Sequence, residues 1–171
     1  RWRGGSGIDW RAVNEGSDGR MSSGSSDGDV VQGKGALGGQ RVPCARTFIL
    51  RGGEKIRLKP HRIDPVKTGD VLVKLSPGGA GVGDPWLRPA DKVALDVGNE
   101  KITLEAARLI YGVIVDPLTL KVDEAATAKL RSAPPAQRYE AVINEETLDI
   151  EIKPMGAPLG APIGAKAEST R

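Results

Sequence analysis

The alternation of apolar and polar positions divides the chain at about residues 42, 90 and 131. From Val42 onward the text reads as strands. "RTFILRGGEKIRL", Arg46 to Leu58, carries two short apolar-containing runs on either side of Gly52-Gly53, a pair suited to the positive φ values of a tight hairpin turn. In "GDVLVKLSPGG", Val71, Val73 and Leu75 alternate with Leu72 and Lys74, so the period of two predicts a third strand running into a glycine-rich loop. The period then lengthens. Asp91 to Val97 predicts a short helix closed by Gly98, and Thr103 is placed to cap "LEAARLIY", whose Leu104, Ala107 and Ile110 fall on one face before Gly112 stops it. "GVIVDPLTLKVD" predicts a hairpin across Asp116-Pro117, and Asp123 can cap a last helix, "EAATAKLR". After Arg131, "SAPPAQ" breaks the pattern and "AVINEETLDIEI" predicts one more hairpin. The tail repeats Gly-Ala-Pro from Gly156 and Gly160, which predicts an extended arm rather than a helix or central strand.

Residues 1–40 are different. The polar, glycine-dense tract Glu15 to Gly39 has the composition of a linker, but Ile8, Trp10 and Val13 before it and Val30, Val31 and Leu37 within it read as anchors. The expectation is a long ordered loop lying on another surface. The whole pattern predicts a mainly β, α+β fold with a few short helices, glycine-rich loops and an extended C-terminal arm.

Composition narrows the picture. The chain has 171 residues, 23 of them glycine, and only 4% aromatics, so the core must rest on Val, Ile and Leu and be thin. A net charge of +3 is too mild for a polyanion-binding face. Cys44 is the single cysteine, which rules out an internal disulfide and fits a reducing cytoplasm. The longest apolar run, Leu109 to Val115, falls far short of the ~20 residues of a spanning helix, and nothing resembles a signal peptide. The opening "RWRGGSGIDW", without Met, reads as a processed product or a piece of a longer polypeptide.

The loop "SPGGAGVGDPW" invites a phosphate-binding reading, and its spacing refuses it. Gly78 and Gly83 have the separation of a P-loop, but Asp84 and Pro85 stand where lysine and a hydroxyl residue are required. A dinucleotide fingerprint starting at Gly79 or Gly81 would need glycine at 84 or 86, where Asp84 and Trp86 sit. The expected role of Gly78, Gly79, Gly81, Gly83, Asp84, Pro85 and Trp86 is therefore architectural. Backbone packs too closely for side chains, an Asx turn follows at Asp84, Pro85 fixes φ, and Trp86 anchors the loop.

Other side chains offer little chemistry. His61 is the sole histidine and has no nucleophile pattern around it, so a surface role beside Lys59 and Arg62 is expected. Cys44 is expected to be a small buried hydrophobe. One His and one Cys cannot make a His- or Cys-rich metal site. Lys55, Arg57 and Lys59 share one strand face, expected to be solvated, with Ile56 and Leu58 on the other. The RGG triplets at Arg3 and Arg51 lack the aromatic interleaving of an RNA-binding segment, so no nucleic acid is expected. Asp123, Glu124, Glu140, Glu145 and Glu146 show no metal-loop spacing and are expected to be solvated; "SSDGDVV" lacks the ligands of a calcium loop.

"GGAGVGDPWLRPADKVALDVGNEKITLEAARLIYGVIVD", Gly78 to Asp116, resembles the C-terminal signature of the hydantoinase B/oxoprolinase family. "RWRGGSG" and "GALGGQ" resemble elements that precede that signature, in the same order, so the resemblance covers residues 1–131 and leaves 132–171 as an extension. It implies a C-terminal part of a much longer chain, as a split subunit or cleaved piece, with larger hydantoinase A-like and hydantoinase B-like partners. It also implies ATP and a divalent metal elsewhere in the assembly, with none on this chain. The family opens cyclic amides such as hydantoins and 5-oxoproline, and a related branch carboxylates acetone or acetophenone. The multi-subunit habit of that branch inclines the reading slightly towards a ketone carboxylase. The competing class is a free-standing binding module. No catalytic residue is carried over.

Overall fold

In the computed structural model, residues 2–22 and 27–156 are described, and the Gly-Ala-Pro repeat lies beyond them except for Gly156. The fold is mainly β with three short α-helices, an α+β arrangement. It divides into two compact units, Arg1–Pro89 with Ala141–Glu151, and Ala90–Glu140 with Ile152–Arg171.

The first unit is built on a four-stranded antiparallel sheet of order β1-β6-β3-β4, from β1 (Ile8–Val13), β3 (Arg46–Arg51), β4 (Glu54–Arg57) and β6 (Val71–Ser76). The β3–β4 turn is the Gly52-Gly53 pair, with φ of 55° and 85°, the two left-handed positions that let a two-residue turn follow strand twist. Both faces of the sheet are covered. Phe48, Val73 and Leu75 point to one side and meet Ile143 and Leu148. Ile49 points to the other side, where Leu58 and Val66 join it with Met21, Ile56 and Leu72. Val66 and Met21 come from a separate two-stranded ribbon, β2 (Gly19–Ser22) with β5 (Ile63–Val66).

These strands correct the reading of residues 1–40 as loop. Residues 8–13 and 19–22 are strands, and Ile8, Trp10, Val13, Val30, Val31 and Leu37 are exposed on this chain. Pro65 within β5 and the polar text around β2 conceal this ribbon from any pattern count, because an edge strand tolerates both.

The second unit packs α1 (Ala90–Gly98), α2 (Leu104–Tyr111) and α3 (Glu124–Arg131) with the segment after α2. Thr103 and Asp123 cap α2 and α3 through bonds from Ala106 and Ala126 N–H. Gly112, at φ 62°, closes α2 in the left-handed cap. Val93, Val97, Ala107, Val113 and Val115 form its core. Residues 113–123 make one bridge, Val115 to Val122, around a turn in which Asp116 Oδ1 accepts from Leu118 and Thr119 N–H. A single bridge replaces the predicted hairpin because Asp116 and Pro117 tie the chain into a turn before strands can extend. The last hairpin is β7 (Tyr139–Ile143) with β8 (Ile150–Pro154), and its turn belongs to the first unit.

Candidate functional site

Three glycine stretches far apart in sequence meet in the first unit: 4–7, 35–39 and 78–83. Their contact is backbone against backbone. A Cβ on Gly4 would lie 1.8 Å from the Gly79 carbonyl oxygen, and one on Gly39 would lie 2.0 Å from that of Gly81. Neither position tolerates a side chain without displacing main chain. Gly78 is equally confined, 2.0 Å from the Gly5 oxygen.

Hydrogen bonds stitch this seam. Trp2 and Val82 exchange N–H bonds at 2.7 and 3.0 Å, and Gly79 N–H donates to Gly5. Gly81 N–H donates to Gln40 and Gly83 N–H to Ala36, while Ala36 N–H donates to Gly81. Four loop amides, at Gly79, Gly81, Val82 and Gly83, are thus spent on protein carbonyls. Those are the donors a phosphate cradle would have to offer, so the loop is closed to that use.

The chain then turns. Asp84 Oδ1 accepts from Trp86 N–H at 3.0 Å, Pro85 starts a single 3-10 turn and is buried, and Trp86 is half-buried. Leu37 stands at the rim, 86% exposed and at φ 51°, a conformation unusual for a bulky residue.

The remaining candidates are dispersed. His61 sits exposed in a turn with φ 59°, and Cys44 is half-buried just before β3. The Lys55/Arg57 face of β4 is not simply solvated. Both cations lie 5.6 Å from the centre of the Phe48 ring, and the β7–β8 turn is bonded to them. Glu145 receives Arg46 Nε at 2.5 Å and Arg57 at 3.1 Å, and Lys55 donates to the Glu145 and Glu146 carbonyls. Lys55 and Glu145 are exposed, as a solvated face requires, but they are held in these bonds. Only Arg57 departs from that expectation, half-buried where the β7–β8 turn, ninety residues downstream of Lys55, bonds across the face. Asp123 is a helix cap and Glu124 lies in the first turn of that helix. Among the described residues no three His, Cys, Asp or Glu side chains gather as a metal site, and no helix is long and apolar enough to cross a membrane.

One charged pair escaped the sequence. Asp70, buried beside β6, takes a two-pronged grip from Arg51 at 2.8 and 2.7 Å and a bond from Lys67 N–H. The Arg51 hydrogen bonds hold its carboxyl down at about 2, against the penalty of burial. The pair ties the end of β3 to the turn that launches β6, and a lone "GD" in the sequence offers no sign of it.

The seam is an arrangement of backbone, and its relatives give it context. Caprolactamase subunit beta from Pseudomonas jessenii is 34% identical over 115 residues, 64% of this chain and 20% of that protein. The crystal structure of ATP-dependent caprolactamase from the same organism overlays 77% of this chain and 23% of its own, with TM-score 0.60 and 27% identity. This chain is homologous to part of a caprolactamase β subunit. An uncharacterized protein of Methanocaldococcus jannaschii is 31% identical over 133 residues, 77% of this chain and 23% of its own. A nucleotide-free acetone carboxylase structure overlays 59% of this chain and 19% of its own at 23% identity and TM-score 0.41, too slight a likeness to argue from. No protein-family model matches. The chain spans about a fifth of the length of the relatives it matches.

Proposed function

We propose that this chain is a subunit or segment of a cytoplasmic, ATP-dependent enzyme that opens a cyclic amide. The observation that carries this reading is the combined likeness, in sequence and in fold, to the β subunit of ATP-dependent caprolactamase. Residues 1–131 are the segment shared with hydantoinase B-like chains, and 132–171 are an extension. A resonance-stabilised amide resists water; transfer of a phosphoryl group from ATP to its oxygen makes the ring carbon electrophilic enough for water to add. The ring C–N bond then breaks with the nitrogen taking a proton, and hydrolysis of the remaining acyl phosphate releases phosphate and the carboxylate. ATP and its divalent metal belong to larger hydantoinase A-like and B-like partners. This chain contributes a rigid glycine seam around residues 78–86, anchored at Trp86, and no proton-transfer step is assigned to it.

The test is ADP release by the whole assembly carrying this chain, purified untagged from its source. Stimulation by a lactam, 5-oxoproline or a hydantoin is expected. Stimulation by a ketone with bicarbonate alone would move the assembly to the carboxylase branch, and no stimulation by either would overturn the proposal.

A further inference from the structure

The four-stranded sheet has two edges, and they are protected very differently. β4 is four residues long and presents Lys55 and Arg57, the short and charged design that keeps a free edge from pairing. β1 is six residues long, with no Pro, Lys or Gly. Its two charges neutralise each other, Arg11 to Asp9 at 3.1 Å. The covers over both faces of the sheet stop short of it. Ile8, Trp10 and Val13 are 66%, 50% and 55% exposed, whereas Val73 and Leu75 one strand inward are buried.

The hydrogen-bond phase of β1 is known. Asn14 N–H donates to Asp70 on the β6 side, and antiparallel strands alternate. Ala12, Trp10 and Ile8 therefore turn their peptide groups towards β6, and Asp9, Arg11 and Val13 turn theirs to the open side. No strand among the described residues pairs with that side.

We infer that β1 is a docking edge on which an extended apolar segment of the larger polypeptide adds as a fifth strand, covering Ile8 and Trp10 on one face and Val13 on the other. The occupant is the part of the assembly that corresponds to the remaining four fifths of the relatives' length, so the inference rests on the proposed membership of a larger enzyme. Strand addition would pair the open peptide groups, and the exposed apolar side chains would supply the cross-strand contacts.

Residue-resolved hydrogen exchange on the intact assembly tests this directly. Protection of the Asp9, Arg11 and Val13 amides equal to that of Ile8, Trp10 and Ala12 is expected; exchange at loop rates for the first three would overturn it. Arg11→Pro removes an outward N–H and leaves the β1–β6 bonds intact, so it should weaken retention of the chain in the assembly about tenfold, with Arg11→Ala retained. If Arg11→Pro fails to fold, Trp10→Lys should give the same loss of retention with β1–β6 protection preserved. Outward amides protected in a homomer of this chain alone would replace the larger polypeptide by a second copy and sink the inference. None of these readouts depends on ATP turnover, so an assembly inactive on every substrate would still decide it.

Discussion

The two units close their interiors by opposite means. In the second, short helices with side-chain caps press aliphatic groups together, Val93, Val97, Ala107 and Val113 among them. In the first, the glycine seam brings three backbone stretches so close that side chains are excluded, and the four-stranded sheet carries the only fully buried aromatic ring among the described residues, Phe48. A side-chain core loses contacts when a methyl group is deleted, because its neighbours relax only part-way into the gap. A backbone seam cannot relax around an added methyl group, because the obstacle is a main-chain carbonyl with no rotamer to change. The first unit should therefore be intolerant of gain and the second of loss.

The strongest way to break that contrast is Gly39→Ala. Its new Cβ would fall 2.0 Å from the Gly81 oxygen, and a loss of about 3 kcal/mol in thermal or denaturant unfolding is expected. Gly19→Ala, where nothing lies within 4 Å of the added carbon, should stay within about 0.5 kcal/mol. Equal effects at the two sites would mean that the seam yields freely.

Val113→Ala tests the other side of the comparison. Val113 is fully buried in the helical core, and deleting its methyl groups should cost about 2 kcal/mol, with the cavity shared among neighbours. A cost within about 0.5 kcal/mol would mean that the helical core tolerates loss, and would erase the distinction between the two interiors.

The smallest effect expected is conditional on pH and belongs to the first unit. Asp70 is held down at about 2 chiefly by Arg51, below the ~3.9 of a free aspartate. A depressed carboxyl contributes stability above the unfolded value and loses it as pH falls through the folded one. Asp70→Asn should thus melt lower than the unaltered chain at pH 7, with the gap closing between about pH 4 and pH 2. A gap independent of pH would mean that the pair acts through shape and not through charge.

Part of this architecture was legible residue by residue. Gly52-Gly53, Thr103, Gly112 and Asp123 act within four residues of themselves, through φ preference or a single capping bond, so the chemistry of a short window suffices. The mutual incompatibility of Asp84 with a phosphate site was equally local. Trp86 was expected to be an anchor, and its half-burial places it between a surface and a core residue. β1 and β2 were hidden for different reasons. Ile8, Trp10 and Val13 looked like anchors because their apolar character was visible and their partner was not. The ribbon strand β5 carried Pro65, which argues against a strand until its edge position is known.

The sequence by itself determined the turns, the caps and the α+β class, because each follows from short-range stereochemistry and patterning. Only the tertiary structure decided that β1 pairs with β6 across some sixty residues, that Glu145 settles between Arg46 and Arg57, and that Gly4, Gly39 and Gly78 press against backbone from elsewhere in the chain. Partner choice of that kind is set by the competition among all surfaces the chain could bury. No window of the sequence contains both sides of that competition.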